Sequence, residues 1–286
     1  MKTLKYFFEF LFIITFFFIF KIIGYRNASA IGELIGKKIG PFFRNNSKIQ
    51  KNLEISNIGN SYQEREIIIK KMWGNYGRIF AEYMFIKKFR QNSLSKNIEI
   101  IGQNFLEEIK KTKKPVIFIS GHFNNFELMA MHIEKSDIDL AAIYRPLNNK
   151  FLNPIMERIR TKYICKKQIK KGISGTKEIL KYFKSGTSIA LMVDQRVSEG
   201  ISCNFFNRKA FTTTIPAQFV KKFDCKIVPI YIERVNKNQF KLEILKPLDF
   251  SKNDNIETIT LEINSALEEM VKKNPEQWIW THDRWK

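Results

Sequence analysis

Five short apolar runs rich in β-branched residues punctuate the chain at Val116–Ser120, Leu140–Tyr144, Ser188–Val193, Lys226–Ile232 and Phe240–Leu245. Between them lie stretches with helical periodicity: Glu127–Glu134, Phe151–Lys162, Thr176–Lys184 and Ala217–Phe223. Several of the runs are apolar on both strand faces. That pattern fits strands covered on both sides and joined by helical crossovers, an α/β fold with a mostly parallel central sheet flanked by helices. Helical patterns also precede the strands, over Tyr62–Lys71 and Met72–Lys88, and a long amphipathic helix is expected at Ile256–Lys273. With 286 residues, no internal repeat and no long Pro/Gly/Ser linker, the chain reads as one domain carrying an N-terminal segment.

That segment, Tyr6 to Ile23, reads YFFEFLFIITFFFIFKII, interrupted only by Glu9 and Lys21. About 18 residues at 1.5 Å rise approach the ~30 Å of a hydrocarbon core, and Lys21 can snorkel to the interface. Asn27-Ala28-Ser29-Ala30 would serve as a cleavage site, but the run is long and aromatic for a signal peptide, and an uncleaved anchor is the expectation. Residues 1–26 are therefore taken as a membrane anchor and 27–286 as the domain it tethers. Lys21, Arg26, Lys37 and Lys38 outweigh Lys2 and Lys5, which places that domain in the cytoplasm. The small residues Ala28, Gly32, Gly36 and Gly40 share one helix face, suited to close packing on the domain or to dimerisation.

The formal charge of +21 invites a nucleic-acid reading. The excess is mostly Lys, scattered along a chain also rich in Asn, Ile and Phe, so it is discounted. Its field still favours anionic lipid headgroups, phosphorylated substrates or an acidic carrier protein. Three cysteines without a Cys-x-x-Cys or a His/Cys cluster argue against a disulfide framework or a metal site.

The chemistry concentrates at Ser120-Gly121-His122-Phe123-Asn124-Asn125-Phe126-Glu127, directly after the first apolar run. A strand ending in a loop that opens a helix is where α/β proteins display reactive groups. Asn124 or Asn125 is expected to cap the helix, and Glu127 to reach back and hydrogen-bond His122, fixing its tautomer. No Gly-x-Ser-x-Gly elbow and no Cys beside a His supply a protein nucleophile, so His122 would activate a hydroxyl of the substrate. The bland alternative is a loop histidine satisfied by a neighbouring carboxylate. His132 reads as structural. His282, beside Asp283, lies in a tail where Trp278 and Trp280 are expected to pack, at a membrane interface or otherwise. Phe123 and Phe126 suit an acyl groove or the core equally. Lys166, Lys167, Lys170 and Lys171 suit either an anionic partner or a solvated loop.

The His-x4-acid block resembles the glycerolipid acyltransferase superfamily, and the wider chain resembles its lipid A secondary acyltransferase branch from Gram-negative bacteria. The resemblance runs through Gly121–Glu127, Tyr144-Arg145-Pro146, Met192-Val193-Asp194-Gln195, Phe205-Phe206, Thr212–Pro216 and Pro275-Glu276-Gln277-Trp278-Ile279-Trp280, and takes in the anchor and Lys51-Asn52-Leu53. It implies acyl transfer from an acyl carrier protein thioester to a hydroxyl of a lipid A precursor at the inner membrane, with no metal, cofactor or nucleic acid. His122 would be the base and Glu127 its orienter. Arg145 would stabilise the oxyanion or hold an acceptor phosphate, or else salt-bridge its loop; Asp194 and Gln195 would contact substrate or hydrogen-bond the loops, and Asn125 would contact substrate. Asn124 stands where the family has Gly, a turn that Asn tolerates, and Phe126 where it has Trp. Other acceptors in the superfamily, or a non-catalytic basic membrane-tethered protein that binds lipid or nucleic acid, are the competing readings.

Overall fold

A computed structural model describes residues 2–91 and 93–286. Four helices come first: α1 (Lys2–Phe43), α2 (Asn46–Ile55), α3 (Tyr62–Glu82) and α4 (Ile86–Arg90). Strands and helices then alternate as β1 (Ile98–Ile101), α5 (Gln103–Thr112), β2 (Ile117–Ser120), α6 (Glu127–Lys135), β3 (Leu140–Tyr144), α7 (Asn153–Tyr163), β4 (Lys167–Lys170), α8 (Ile173–Lys184) and β5 (Ser188–Met192). A hairpin of β6 (Ile201–Phe205) and β7 (Arg208–Thr212) precedes α9 (Ile215–Phe223), β8 (Ile227–Asn236), β9 (Gln239–Ile244) and α10 (Ile256–Lys273).

Seven strands form one sheet in the order β1-β9-β8-β2-β5-β3-β4, parallel except for the β8–β9 pair. All four residues of β2 are buried, as are the first six of β8, because helices cover both faces. All five expected strands form, as does the C-terminal helix. The sheet gains two strands at its rims. β4 reads Lys-Gln-Ile-Lys and β1 reads Ile-Glu-Ile-Ile, and both are edge strands, where charge is tolerated and protects against unwanted pairing. The β6–β7 hairpin turns on Phe206 and Asn207, at φ 52° and 58°, the two left-handed positions of a tight turn usually marked by glycine.

Helix α1 is broken at Gly24, which adopts φ 80° and ψ 166°, a backbone state that suits glycine. Its N-terminal half is long and apolar enough to cross a membrane, and Phe8, Phe12, Phe18 and Ile22 on it are exposed. The same half touches the domain: Phe17 lies 5.0 Å from Phe80, Phe7 packs edge-on to Phe151, and Asn149 donates to the Tyr6 carbonyl at 2.8 Å. Beyond Gly24 the small-residue ridge packs on α3. A Cβ at Gly32 would meet the Gly77 carbonyl, one at Gly36 the Trp73 carbonyl, and one at Gly40 the Trp73 ring. Tight packing on the domain is therefore what the ridge does, two helix backbones meeting along rows of residues four apart.

Replacing Gly36 by Val is expected to force α1 and α3 apart and to destabilise the protein by about 1–3 kcal/mol. Chemical or thermal unfolding in detergent checks this; unchanged stability would mean the two helices do not touch as described.

Candidate active site

Strands β2 and β5 are parallel neighbours, with Ser120 opposite Met192. Two residues beyond each of these positions stand His122 and Asp194. Equal offsets from paired positions bring these side chains, 72 residues apart in sequence, into contact at the carboxyl edge of the sheet, where open α/β folds place their sites. His122 Nδ1 lies 2.8 Å from Asp194 Oδ1, and the His122 backbone N–H donates to Oδ2 at 2.8 Å. The Trp278 indole N–H also donates to Oδ2, at 2.9 Å. Asp194 is 2% exposed. Burial alone would push its carboxyl up, but the imidazole beside it and these donors hold it down at about 2. In turn, burial would push the imidazole down, and the Asp194 charge overcomes this and raises it above the ordinary value, with Glu127 adding to the effect. With Nδ1–H given to Asp194, the other nitrogen, Nε2, carries the basic lone pair.

Glu127 does not hold the imidazole, contrary to the spacing-based expectation. Arg160 of α7 claims it: Arg160 Nε donates to Glu127 Oε1 at 2.8 Å, and Nη2 lies 2.7 Å from the same oxygen. The guanidinium sits 5.5 Å from the centroid of the Tyr144 ring, which packs it against the Tyr-Arg-Pro segment. Glu127 still lines the same cavity as His122, and its charge acts on the ring from there. Nothing in the local sequence marks Arg160; a lone Arg in an amphipathic helix is ordinarily a solvated one.

That cavity, of about 720 Å³, runs from His122, Phe126 and Glu127 between the sheet and the helices. Phe118, Met129, Ile133, Ala142, Ile179, Ala190 and Ile230 make much of its wall apolar, and Arg145, Lys170 and Lys171 give it a basic side. Arg145 is exposed there and has no ion-pair partner among the described residues. The Lys166–Lys171 cluster divides: Lys167 pairs with Asp139 at 2.6 Å, and Lys170 lies 3.3 Å from Glu157 while lining the cavity. Phe126 packs edge-on to the His122 ring at 5.0 Å, whereas Phe123 is fully buried against Tyr231. Gln195 lines the cavity, 3.5 Å from His122 Nε2, and its amide reaches His282 Nε2 at 2.8 Å. His132, hydrogen-bonded to Gln103 at 2.8 Å, is pushed by burial down to about 4 and is structural.

The loop itself departs from the capping expectation. Neither Asn124 nor Asn125 caps α6; Phe126 occupies that position. Asn124 adopts φ 40°, the turn that glycine would otherwise supply, and its side chain receives the Asn125 N–H at 2.8 Å. Asn125 is 1% exposed and lies away from the cavity, its amide 3.4 Å from Glu82, so it supports the loop and does not face a substrate. Behind it, Arg234 of β8 makes a two-pronged pair with the fully buried Glu82 at 2.8 Å on each oxygen, and reaches Asn124 Oδ1 at 3.2 Å. Ser29 of α1 donates to Glu82 at 2.7 Å, and Gln277 clamps Asn124 through side chain and backbone at 2.7 and 2.9 Å. Trp278 and Trp280 are 2% and 1% exposed, packed inside the protein.

Breaking the Glu82–Arg234 pair from one side leaves a buried charge without its partner. Arg234→Met is expected to cost about 3–5 kcal/mol in unfolding experiments. A loss within experimental error of zero would remove this pair as the support of the loop.

Comparison with known proteins identifies the family. That of bacterial lipid A biosynthesis acyltransferases matches residues 1–286. The chain is 23% identical over 261 residues to the lipid A biosynthesis lauroyltransferase of Escherichia coli, covering 90% of this chain and 84% of that one. It is 24% identical to lipid A biosynthesis acyltransferase 2 of Shigella flexneri, covering 86% and 79%, and 21% identical to the E. coli lipid A biosynthesis myristoyltransferase, covering 77% and 68%. The match runs along the whole length of the chain, which therefore belongs to the bacterial lipid A biosynthesis acyltransferase family.

Proposed function

We propose that the protein transfers a fatty acyl chain from an acyl carrier protein thioester to a hydroxyl of a lipid A precursor, at the cytoplasmic face of the bacterial inner membrane, with residues 1–26 as its anchor. The observation that carries this reading is the His122–Asp194 pair at a cavity large and apolar enough to take an alkyl chain. The acceptor hydroxyl gives its proton to His122 Nε2 as its oxygen attacks the thioester carbonyl. Asp194 holds the tautomer that leaves Nε2 basic and stabilises the imidazolium that forms. When the tetrahedral intermediate collapses, the C–S bond breaks and the imidazolium returns the proton to the departing thiolate, leaving an ester and a free carrier thiol.

The remaining residues fit around this step. Gln195, near Nε2, is placed to hydrogen-bond the incoming hydroxyl. Glu127 is a positioning residue: it holds Arg160 in the cavity wall and adds negative potential at the imidazole. The basic side formed by Arg145, Lys170 and Lys171 suits the phosphate of the carrier's pantetheine arm and the acidic carrier itself. The lysines and arginine that follow the apolar helix favour the cytoplasmic side.

Purified protein incubated with acyl carrier protein thioester and a lipid A precursor is expected to yield an acylated lipid. His122→Ala and Asp194→Asn should each lower kcat/KM by about 10²- to 10⁴-fold. Near-normal turnover by either folded variant would remove the corresponding role.

The pH dependence follows from the sign of the shift. A base must be neutral, so kcat/KM should rise with pH and level off only above the raised imidazole value, beyond the usual 6.5. Glu127→Gln withdraws the negative charge that acts less strongly on the ring and should move the inflection slightly to lower pH. Asp194→Asn should move it further. A pH profile insensitive to both substitutions would mean His122 is not the titrating base.

A further inference from the structure

A second, smaller pocket of about 200 Å³ lies beyond Gln195 and His282 from the His122 ring and takes no part in the chemistry above. Its wall includes Arg44, Lys48, Thr281, His282 and Asp283. It is reached from the base in two steps: His122 Nε2 lies 3.5 Å from the Gln195 amide, and that amide lies 2.8 Å from His282 Nε2. The wall is held firmly. Asn52 of α2 donates to the carbonyls of Trp280 and His282 at 2.9 and 2.8 Å, which pins the tail against α2, and Asn45 is spent capping α2 through the Ser47 N–H.

The charges in the pocket favour an anion. Arg44 and Lys48 outweigh Asp283, and no carboxylate pairs with either cation among the described residues. Burial pushes the His282 imidazole down, so near neutral pH it serves as a hydrogen-bonding group. With its Nε2 turned to the Gln195 amide, its Nδ1–H is the donor that remains. Directly before Arg44, Phe42 and Phe43 are 88% and 75% exposed at the end of α1. Two protruding aromatic rings followed at once by a cationic pocket match a ligand with an anionic headgroup and apolar chains, held at a membrane surface.

We propose that this pocket is the subsite for a phosphate of the acceptor lipid, gripped by Arg44 and Lys48 while the acceptor's hydroxylated chain passes Gln195 to reach His122. The inference rests on the acyl-transfer reading above and deepens it. It gives the basic groups distinct roles. Arg145, Lys170 and Lys171 stand beside the acyl cavity on the donor's path, and Arg44 and Lys48 hold the acceptor. The two substrates then converge on Nε2 from different pockets, as a direct transfer between them requires.

The test uses the full chain in mixed micelles and the double variant Arg44→Gln/Lys48→Gln, whose side chains are exposed and carry none of the core. Initial rates are measured at saturating acyl thioester against a phosphorylated lipid A precursor and against the same lipid after enzymatic dephosphorylation. For the phosphorylated acceptor, KM should rise about tenfold to a hundredfold in the variant, the loss expected for charge-assisted hydrogen bonds, with kcat and the thioester KM little changed. For the dephosphorylated acceptor, parent and variant should have the same, already raised, KM. Equal losses on both acceptors, or no loss on the phosphorylated one, would overturn the subsite. Sedimentation with phosphatidylglycerol and phosphatidylcholine vesicles gives a second arm. Parent and variant should bind alike, and a loss confined to the anionic vesicles that matches the kinetic loss would replace the subsite by general membrane adhesion. Binding of the phosphorylated precursor without thioester, followed by tryptophan fluorescence, tests the pocket even where no acylation occurs. Binding by the parent and not by the variant supports the subsite while the absence of acylation removes the transfer reading, and equal binding by both overturns the subsite.

Discussion

An ionised carboxylate shut away from water is costly unless every lone pair finds a donor, and Asp194 is almost wholly enclosed. Three donors converge on it: the imidazole and the backbone N–H of His122, and the indole of Trp278. They come from different layers of the fold. The histidine groups arrive because β2 and β5 pair in a register that sets the two strand ends level. The indole arrives because the C-terminal tail folds back through the domain, with Phe123 bridged to Trp278 and Asn124 held by Gln277. Loss of any one of them leaves a buried charge partly unsatisfied, which couples the position of His122 to the integrity of sheet and tail.

Behind the loop, a second buried charge system continues the same logic. Glu82 receives Arg234 from the sheet and Ser29 from α1, while Arg78 donates to Ser29 at 2.8 Å and pairs with Glu33 of α1. The chain of hydrogen bonds therefore runs from the N-terminal helix through α3 and β8 to Asn124, two residues beyond His122. The small-residue ridge on α1 makes this possible, since only close approach of the α1 and α3 backbones brings Ser29 within reach of Glu82. The helix that is apolar enough to enter a membrane is thus built into the domain that holds the site.

Much of the fold is legible in the residues, because burial on both faces writes strands as unbroken apolar runs and crossover helices as periodic ones. The strands that are not legible are those to which burial does not apply. β4, half lysine, and β1 lie at the rims of the sheet, and the β6–β7 hairpin turns without glycine. The site divides in the same way. His122 stands out from its place after a buried strand, and Asn124 is the residue able to take the turn of a missing glycine, which it does. The partner of His122 escapes a local reading: proximity in sequence favours Glu127, whereas a parallel sheet joins residues by strand register across long crossovers. Arg160, Arg234 and Gln277 carry no local signal, since each matters only for the buried carboxylate or loop it meets.

Sequence alone determined the class of fold, the apolar helix and the histidine, which are properties of composition, periodicity and local spacing, and its ordered blocks carry the resemblance to the family. Tertiary structure decided which acid serves the histidine, which nitrogen of the imidazole is left basic, which asparagine is spent on the loop, and that Gln195, in the wall of the larger cavity, touches His282 in the wall of the smaller one. The division has one physical cause. Local patterns report which surfaces must be buried, but the choice of partner for a buried charge depends on which strands pair and in what register, and that choice is made by the whole chain at once.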